Sequence, residues 1–146
     1  MPSSYFRNYG IETITDATVS ITDDAHVGSR VILSRAAGVT VTLPAATGSG
    51  NRYEFIVGVT PTSNAHVINT ASTSDLYYGN ALYGADGGDT TVMFAADGSD
   101  DDSISLNGTT TGGIKGARVV LDDIATNAWA VHIVSDASGT EATPFS

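Results

Sequence analysis

The spacing of apolar residues limits this chain more than any other feature. In residues 39–58, VTVTLPAATGSGNRYEFIVG, Val39, Val41 and Leu43 alternate with Thr40 and Thr42. After Pro44 and a turn of small residues, Tyr53, Phe55 and Val57 again share one face. A period of two marks a half-buried strand, because successive side chains point to opposite faces. The same signal recurs near residues 18–22, 30–34, 38–43, 52–58, 65–70, 76–83, 90–95, 103–107, 117–122 and 128–135, punctuated by Gly, Asp, Asn and Ser. No segment keeps a period of 3.6 beyond one turn. The expected fold is all-β: a single-domain antiparallel β-sandwich or barrel of about eight to ten strands. An extended N-terminal arm (1–10) precedes the β-domain (11–136), and a C-terminal tail (137–146) follows it. The expected core is Val39, Val41, Leu43, Tyr53, Phe55, Val57, Val119, Leu121, Trp129, Val131 and Ile133.

A chain of 146 residues fits one domain and can bury a core without covalent staples. It has no Cys, so thiolate metal sites, disulfides and thiol catalysis are excluded. Its formal net charge is −10, with six Lys plus Arg. That balance argues against nucleic acid, whose phosphates need clustered basic side chains, and against an anionic membrane surface. The opening MPSSYFRNYG lacks a basic n-region and an apolar h-region, so a signal peptide is not expected. No apolar run approaches the roughly 20 residues that span a bilayer. The acid is mostly Asp, a turn residue that bonds its own backbone. Asn107-Gly108 and Asp86-Gly87 are turn dipeptides that accept positive φ.

Residues 39–58 have an echo in residues 117–135, ARVVLDDIATNAWAVHIVS. Each has an alternating strand ending in Leu, a small turn containing Ala-Thr, and an aromatic opening a second strand. The layout fits two β-hairpins or a duplicated fold with two equivalent corners.

Chemistry is sparse. His26, His66 and His132 are far apart in sequence, so no local metal pair exists. His66 and His132 fall in expected strands on the faces of Ile68 and Val134, and are expected to be structural. The acidic stretch 96–103 lacks the Gly and Glu positions of an EF-hand. A looser calcium site from Asp97, Asp100 and Asp102 stands against a solvated hairpin loop that shields a strand edge. Asp122 and Asp123, as adjacent strand residues, face opposite ways and cannot flank one glycosidic bond. No Gly-x-Ser-x-Gly or phosphate-binding glycine loop is present. No enzyme activity, metal or cofactor is expected. Three tyrosines in 76–83 raise the question of sugar stacking. Their parity puts Tyr77 and Tyr83 with Tyr53 and turns Tyr78 the other way. Two are expected to pack inward and one to lie at a subunit contact.

Leu43-Pro44-Ala45 with Gly48-Ser49-Gly50, Ser63-Asn64 before a strand, and Gly116 before 117–121 form a pattern of turns. Trp129 in the last strand and the closing Ser138-Gly139-Thr140 and Ala142-Thr143-Pro144-Phe145-Ser146 continue it. Over residues 38–146 this pattern resembles the head decoration, or capsid cement, proteins of tailed bacteriophages. The resemblance implies a homotrimer bound to the major capsid protein on the outside of the shell. Its job would be to stabilise that shell, with no active site. The chain would be made in the bacterial host cytoplasm and reside on the virion. Leu-Pro-Ala with glycines also occurs in tail-fibre and spike modules, so a receptor- or glycan-binding module is the alternative.

The first ten residues crowd Tyr5, Phe6 and Tyr9 into a segment without alternation. An isolated terminus cannot bury three aromatics in itself, and aromatics and Arg anchor interfaces. Tyr5, Phe6, Arg7 and Tyr9 are therefore the expected interface residues, docking on a neighbouring subunit or the capsid. The alternative is an arm folded back over its own domain.

Overall fold

The computed structural model describes residues 10–85 and 90–146. In chain order it contains β1 (Ile11–Ile14), β2 (Thr18–Ser20), α1 (Asp23–His26), β3 (Arg30–Leu33), β4 (Thr40–Thr42) and β5 (Arg52–Val57). Then follow β6 (His66–Asn69), β7 (Leu76–Gly84), β8 (Thr91–Asp97), β9 (Ser103–Leu106), β10 (Arg118–Ala125) and β11 (Ala128–Asp136). The fold is all-β and built as two sheets. One has the order β1-β3-β5-β10-β11-β7-β8 and the other β2-β4-β6-β9. Neither closes on itself, which removes the barrel from the expectation.

The expected antiparallel arrangement is also corrected. β1–β3, β3–β5, β2–β4, β4–β6 and β7–β11 pair in parallel. From β1 to β7 the chain reaches this by changing sheet at each step. β1, β3 and β5 stack in the larger sheet, while β2, β4 and β6 stack in the smaller one. A parallel pair needs a crossover between its strands, and here a strand of the other sheet supplies it. β9 and β10 then run antiparallel to β6 and β5 and end the winding in both sheets. Period-two alternation is identical in parallel and antiparallel strands, so it carried no information on direction.

One buried cluster draws side chains from both sheets, and all eleven expected core residues belong to it. Each strand delivers its buried set by simple alternation, as β5 and β9 show. β1 was not expected, for a physical reason. Only Ile14 of its four residues is buried, so backbone pairing with β3 defines it. α1 is one turn long. Its Asp23 accepts a hydrogen bond from the Tyr53 hydroxyl, which ties the turn to β5. The C-terminal residues bond to β9: Phe145 is buried, and the Ser146 carbonyl accepts from Asp102 and Ser103 N–H at 2.9 and 2.8 Å.

Of the two echoing segments only the second is a hairpin, β10–β11. In the first, β4 and β5 lie in different sheets, so 39–58 is a crossover. The two Ala-Thr turns nevertheless meet. Thr47 and Thr126 form an antiparallel bridge, and Asn127 N–H donates to Ala46 at 3.2 Å. Both turns bend through a left-handed residue, Gly48 at φ 78° and Asn127 at φ 61°. The two aromatics that open the second strands, Tyr53 and Trp129, pack edge to face at 5.9 Å. Asn107-Gly108 turns as expected, with Gly108 at φ 82°, and the Asn107 side chain accepts from Thr109 and Thr111 N–H at 2.8 and 3.1 Å. Asp86-Gly87 lies outside the described residues.

Candidate functional site

The expected interface residues Tyr5, Phe6, Arg7 and Tyr9 lie outside the described residues. The point where they join the fold is defined. The Gly10 carbonyl accepts from Arg30 N–H at 3.0 Å, so the chain enters along β1, one edge of the seven-stranded sheet.

The outward face of that sheet is the principal candidate surface. Over β3, β5 and β10 it is ionic. Arg118 meets Glu54 at 2.7 Å, Arg30 approaches the same carboxylate at 3.9 Å, and Arg52 grips Asp122 at 2.7 Å. The Arg52–Asp122 pair uses two guanidinium nitrogens, and that hydrogen bond with the neighbouring charge raises the Arg52 pKa. These three arginines are half of the chain's six Lys plus Arg. A cavity of ≈ 580 Å³ opens beside them, lined by Val27–Arg30, Gly50–Arg52 and Glu54.

Farther across, over β11, β7 and β8, the same face is apolar. Val134 pairs in register with Leu82 and Leu82 with Met93. They are 60%, 41% and 64% exposed. Neighbouring strands lie about 4.8 Å apart, so the three side chains form one ridge. A groove of ≈ 380 Å³ runs along it, lined in part by Leu82, Thr91, Val134 and Asp136. The ridge went unnoticed in the sequence although a signal was there. Leu82 follows Ala81, Val134 follows Ile133 and Met93 precedes Phe94. Paired apolar neighbours in a strand place apolar side chains on both faces.

The buried His and Asp side chains bind the chain's own backbone. His66 is fully buried. Its Nδ1 accepts from Val39 N–H at 3.1 Å, and its Nε2 lies 2.9 Å from the Val59 carbonyl. That pairing assigns the neutral Nε2–H tautomer. Burial pulls its pKa down, against the opposing hydrogen bond to Val59. A histidine with a lowered folded pKa contributes stability that is full above its unfolded pKa of about 6.5 and is lost as pH falls below it. At pH 6, nitrogen-15 NMR is expected to show His66 as neutral Nε2–H; a charged ring there would contradict the assignment. His26 is likewise buried and accepts from Thr22 N–H at 2.9 Å, while His132 is exposed.

Asp122 and Asp123 face opposite ways, as expected. Asp122 is on the ionic surface; Asp123 is 2% exposed and holds the turn after β4. Its carboxylate accepts from the N–H groups of Thr47, Gly48 and Ser49 at 3.1, 2.7 and 3.0 Å, and from the Ser49 hydroxyl at 2.6 Å. Burial pushes its pKa up, but these bonds outweigh burial and hold it below the ordinary carboxylate range. Buried Asp75 takes Ala46 N–H at 3.0 Å.

The stretch with Asp97, Asp100 and Asp102 crosses between sheets and is not a hairpin loop. Asp101, the buried member, accepts from Asp97 N–H at 2.9 Å, and Asp97 accepts from Ser99 N–H at 2.9 Å. Among the described residues no three His, Asp or Glu side chains gather to hold a metal ion. Tyr77 and Tyr83 are buried and donate to the Ile68 and Thr111 carbonyls at 3.0 and 2.6 Å. Burial raises both their pKa values. Tyr78 alone of the three is exposed. Among the described residues no helix is long and apolar enough to cross a membrane.

No protein-family model matches this chain, and no curated protein matches it.

Proposed function

We propose that this protein is a structural component of a bacteriophage virion that binds the outside of the capsid and stabilises the shell. One observation supports this reading above the others. Each buried His and Asp among the described residues, from His26 and His66 to Asp75, Asp101 and Asp123, is bonded to the chain's own backbone. Groups that could move protons are engaged in holding turns. The turn at Thr47–Ser49, part of the Leu-Pro-Ala and glycine pattern that carries the resemblance, is the most heavily braced. In this reading the two sheets are the layers of a sandwich around their shared core. Self-association is as a homotrimer, the major capsid protein is the partner, and Tyr5, Phe6, Arg7 and Tyr9 are anchors.

Co-sedimentation with purified empty shells tests the reading. The protein is expected to pellet with shells at a fixed ratio and to raise the temperature at which they rupture. A protein that stays in the supernatant and leaves rupture unchanged would sink the proposal. So would hydrolysis of a polysaccharide panel abolished by a single Asp or His substitution.

A further inference from the structure

We infer that the ridge formed by Leu82, Met93 and Val134 is the receptor for the N-terminal arm of a second copy of this chain. The inference deepens the self-association part of the proposed function and rests on it, but not on the capsid part.

Three observations carry it. First, the ridge is contiguous, exposed and in register across three strands, the kind of surface that marks an interaction site. Second, the arm supplies apolar anchors of matching character in Tyr5, Phe6 and Tyr9. It also brings Arg7 to a margin where exposed Asp136 takes part in no salt bridge among the described residues. Third, reach excludes the chain's own ridge. The arm leaves from β1, whereas Val134, Leu82 and Met93 stand on β11, β7 and β8, four, five and six strands away. At about 4.8 Å per strand, those distances are about 19, 24 and 29 Å. Phe6 is five residues from Ile11 and Tyr9 two, which at full extension span only about 17 and 7 Å. All three aromatics can therefore sit on a ridge only when it belongs to another molecule. Donor arm and acceptor ridge are different surfaces, so two copies can exchange arms reciprocally as a dimer, or successive copies can dock head to tail and form a ring where the rotation closes. A homotrimer is one such ring.

The test uses the full chain, a chain lacking residues 2–9, and the double variant Leu82→Ser with Met93→Ser, in sedimentation at micromolar concentration. The full chain is expected to sediment as an oligomer. Each altered chain alone should be a monomer, with association weakened more than about 30-fold. Mixing the two should yield a one-to-one heterodimer that grows no further, since one chain retains only a ridge and the other only an arm. Because the chain has no Cys, a second measurement is clean. A Phe6→Cys chain mixed with a Met93→Cys chain is expected to form a disulfide-linked heterodimer, and this decides the matter if the double variant does not fold. A monomeric parent, a ridge variant that assembles like the parent, or a mixture that stays monomeric would overturn the inference. So would Phe6→Cys and Met93→Cys in one chain linking only within that chain, the result expected of an arm folded over its own domain. Failure to bind shells with the heterodimer intact would overturn the capsid reading and leave this one standing.

Discussion

Gly79→Ala is expected to remove most or all of the protein's stability. Gly79 sits inside β7, paired with Val131 on one side and Ala96 on the other. Its φ is 145°, and a Cβ built there would lie 1.9 Å from the Val131 carbonyl oxygen and 3.0 Å from its carbon. Both atoms are backbone in an adjacent paired strand, so no side chain can swing away to make room. The methyl group must force β7 from β11, which costs the local pairing as well as the backbone strain. A loss of about 4 kcal/mol or more is expected, against a total of about 5–15 kcal/mol for a typical domain. Gly50 provides the control. Its φ is 76°, but nothing lies within 4 Å of the added Cβ, so Gly50→Ala should lose only about 1–2 kcal/mol of backbone preference. Urea unfolding followed by the emission of Trp129, the single tryptophan, reads both. Equal losses for the two substitutions would refute the packing explanation.

Asp123→Ala is the second large effect, at about 2–3 kcal/mol. Removing the carboxylate, itself 2% exposed, takes the shared acceptor from the N–H groups of Thr47, Gly48 and Ser49, whose residues are exposed. It also detaches the turn that Asp75 and Asn127 grip from the other side. The effect should depend on pH. The folded-state pKa of Asp123 is depressed, so its contribution is fully present above the unfolded value of about 3.9 and is lost as pH falls through the folded value. Unfolding curves for the parent and for Asp123→Ala should therefore lie far apart at pH 7 and converge in strong acid. Asp123→Asn keeps the shape and one acceptor oxygen, and should fall between them. A loss below about 1 kcal/mol at pH 7 would show that the turn stands without its carboxylate.

The ionic and apolar halves of the outward face differ in how they respond to salt. The Arg30, Arg52 and Arg118 pairs are exposed, and such pairs contribute little to stability and weaken as salt rises. The ridge of Leu82, Met93 and Val134 does not depend on charge. Assembly through it is expected to survive salt that screens the arginines.

Local alternation was enough to identify every described strand but β1, eleven residues of the core and the opposite facing of Asp122 and Asp123, because side-chain direction in a strand depends only on parity. It also placed Tyr77 and Tyr83 inside and Tyr78 outside. β1 was invisible because three of its four side chains face solvent, so its evidence lies in backbone pairing with a strand nineteen residues away. The clamp on Thr47–Ser49 was invisible for a similar reason. Asp123 is more than seventy residues from that turn in sequence, and no local pattern joins them. The ridge was half legible, as apolar neighbours in three separate strands, but only their register in the sheet makes them one surface. The sequence by itself determined that this chain forms short strands around a buried apolar face. The tertiary structure alone decided that most strand pairs are parallel, that the first seven strands alternate between sheets, and which distant residues meet. Parity is a property of neighbours along the chain, whereas direction, register and long-range hydrogen bonds depend on how the chain crosses between the two sheets.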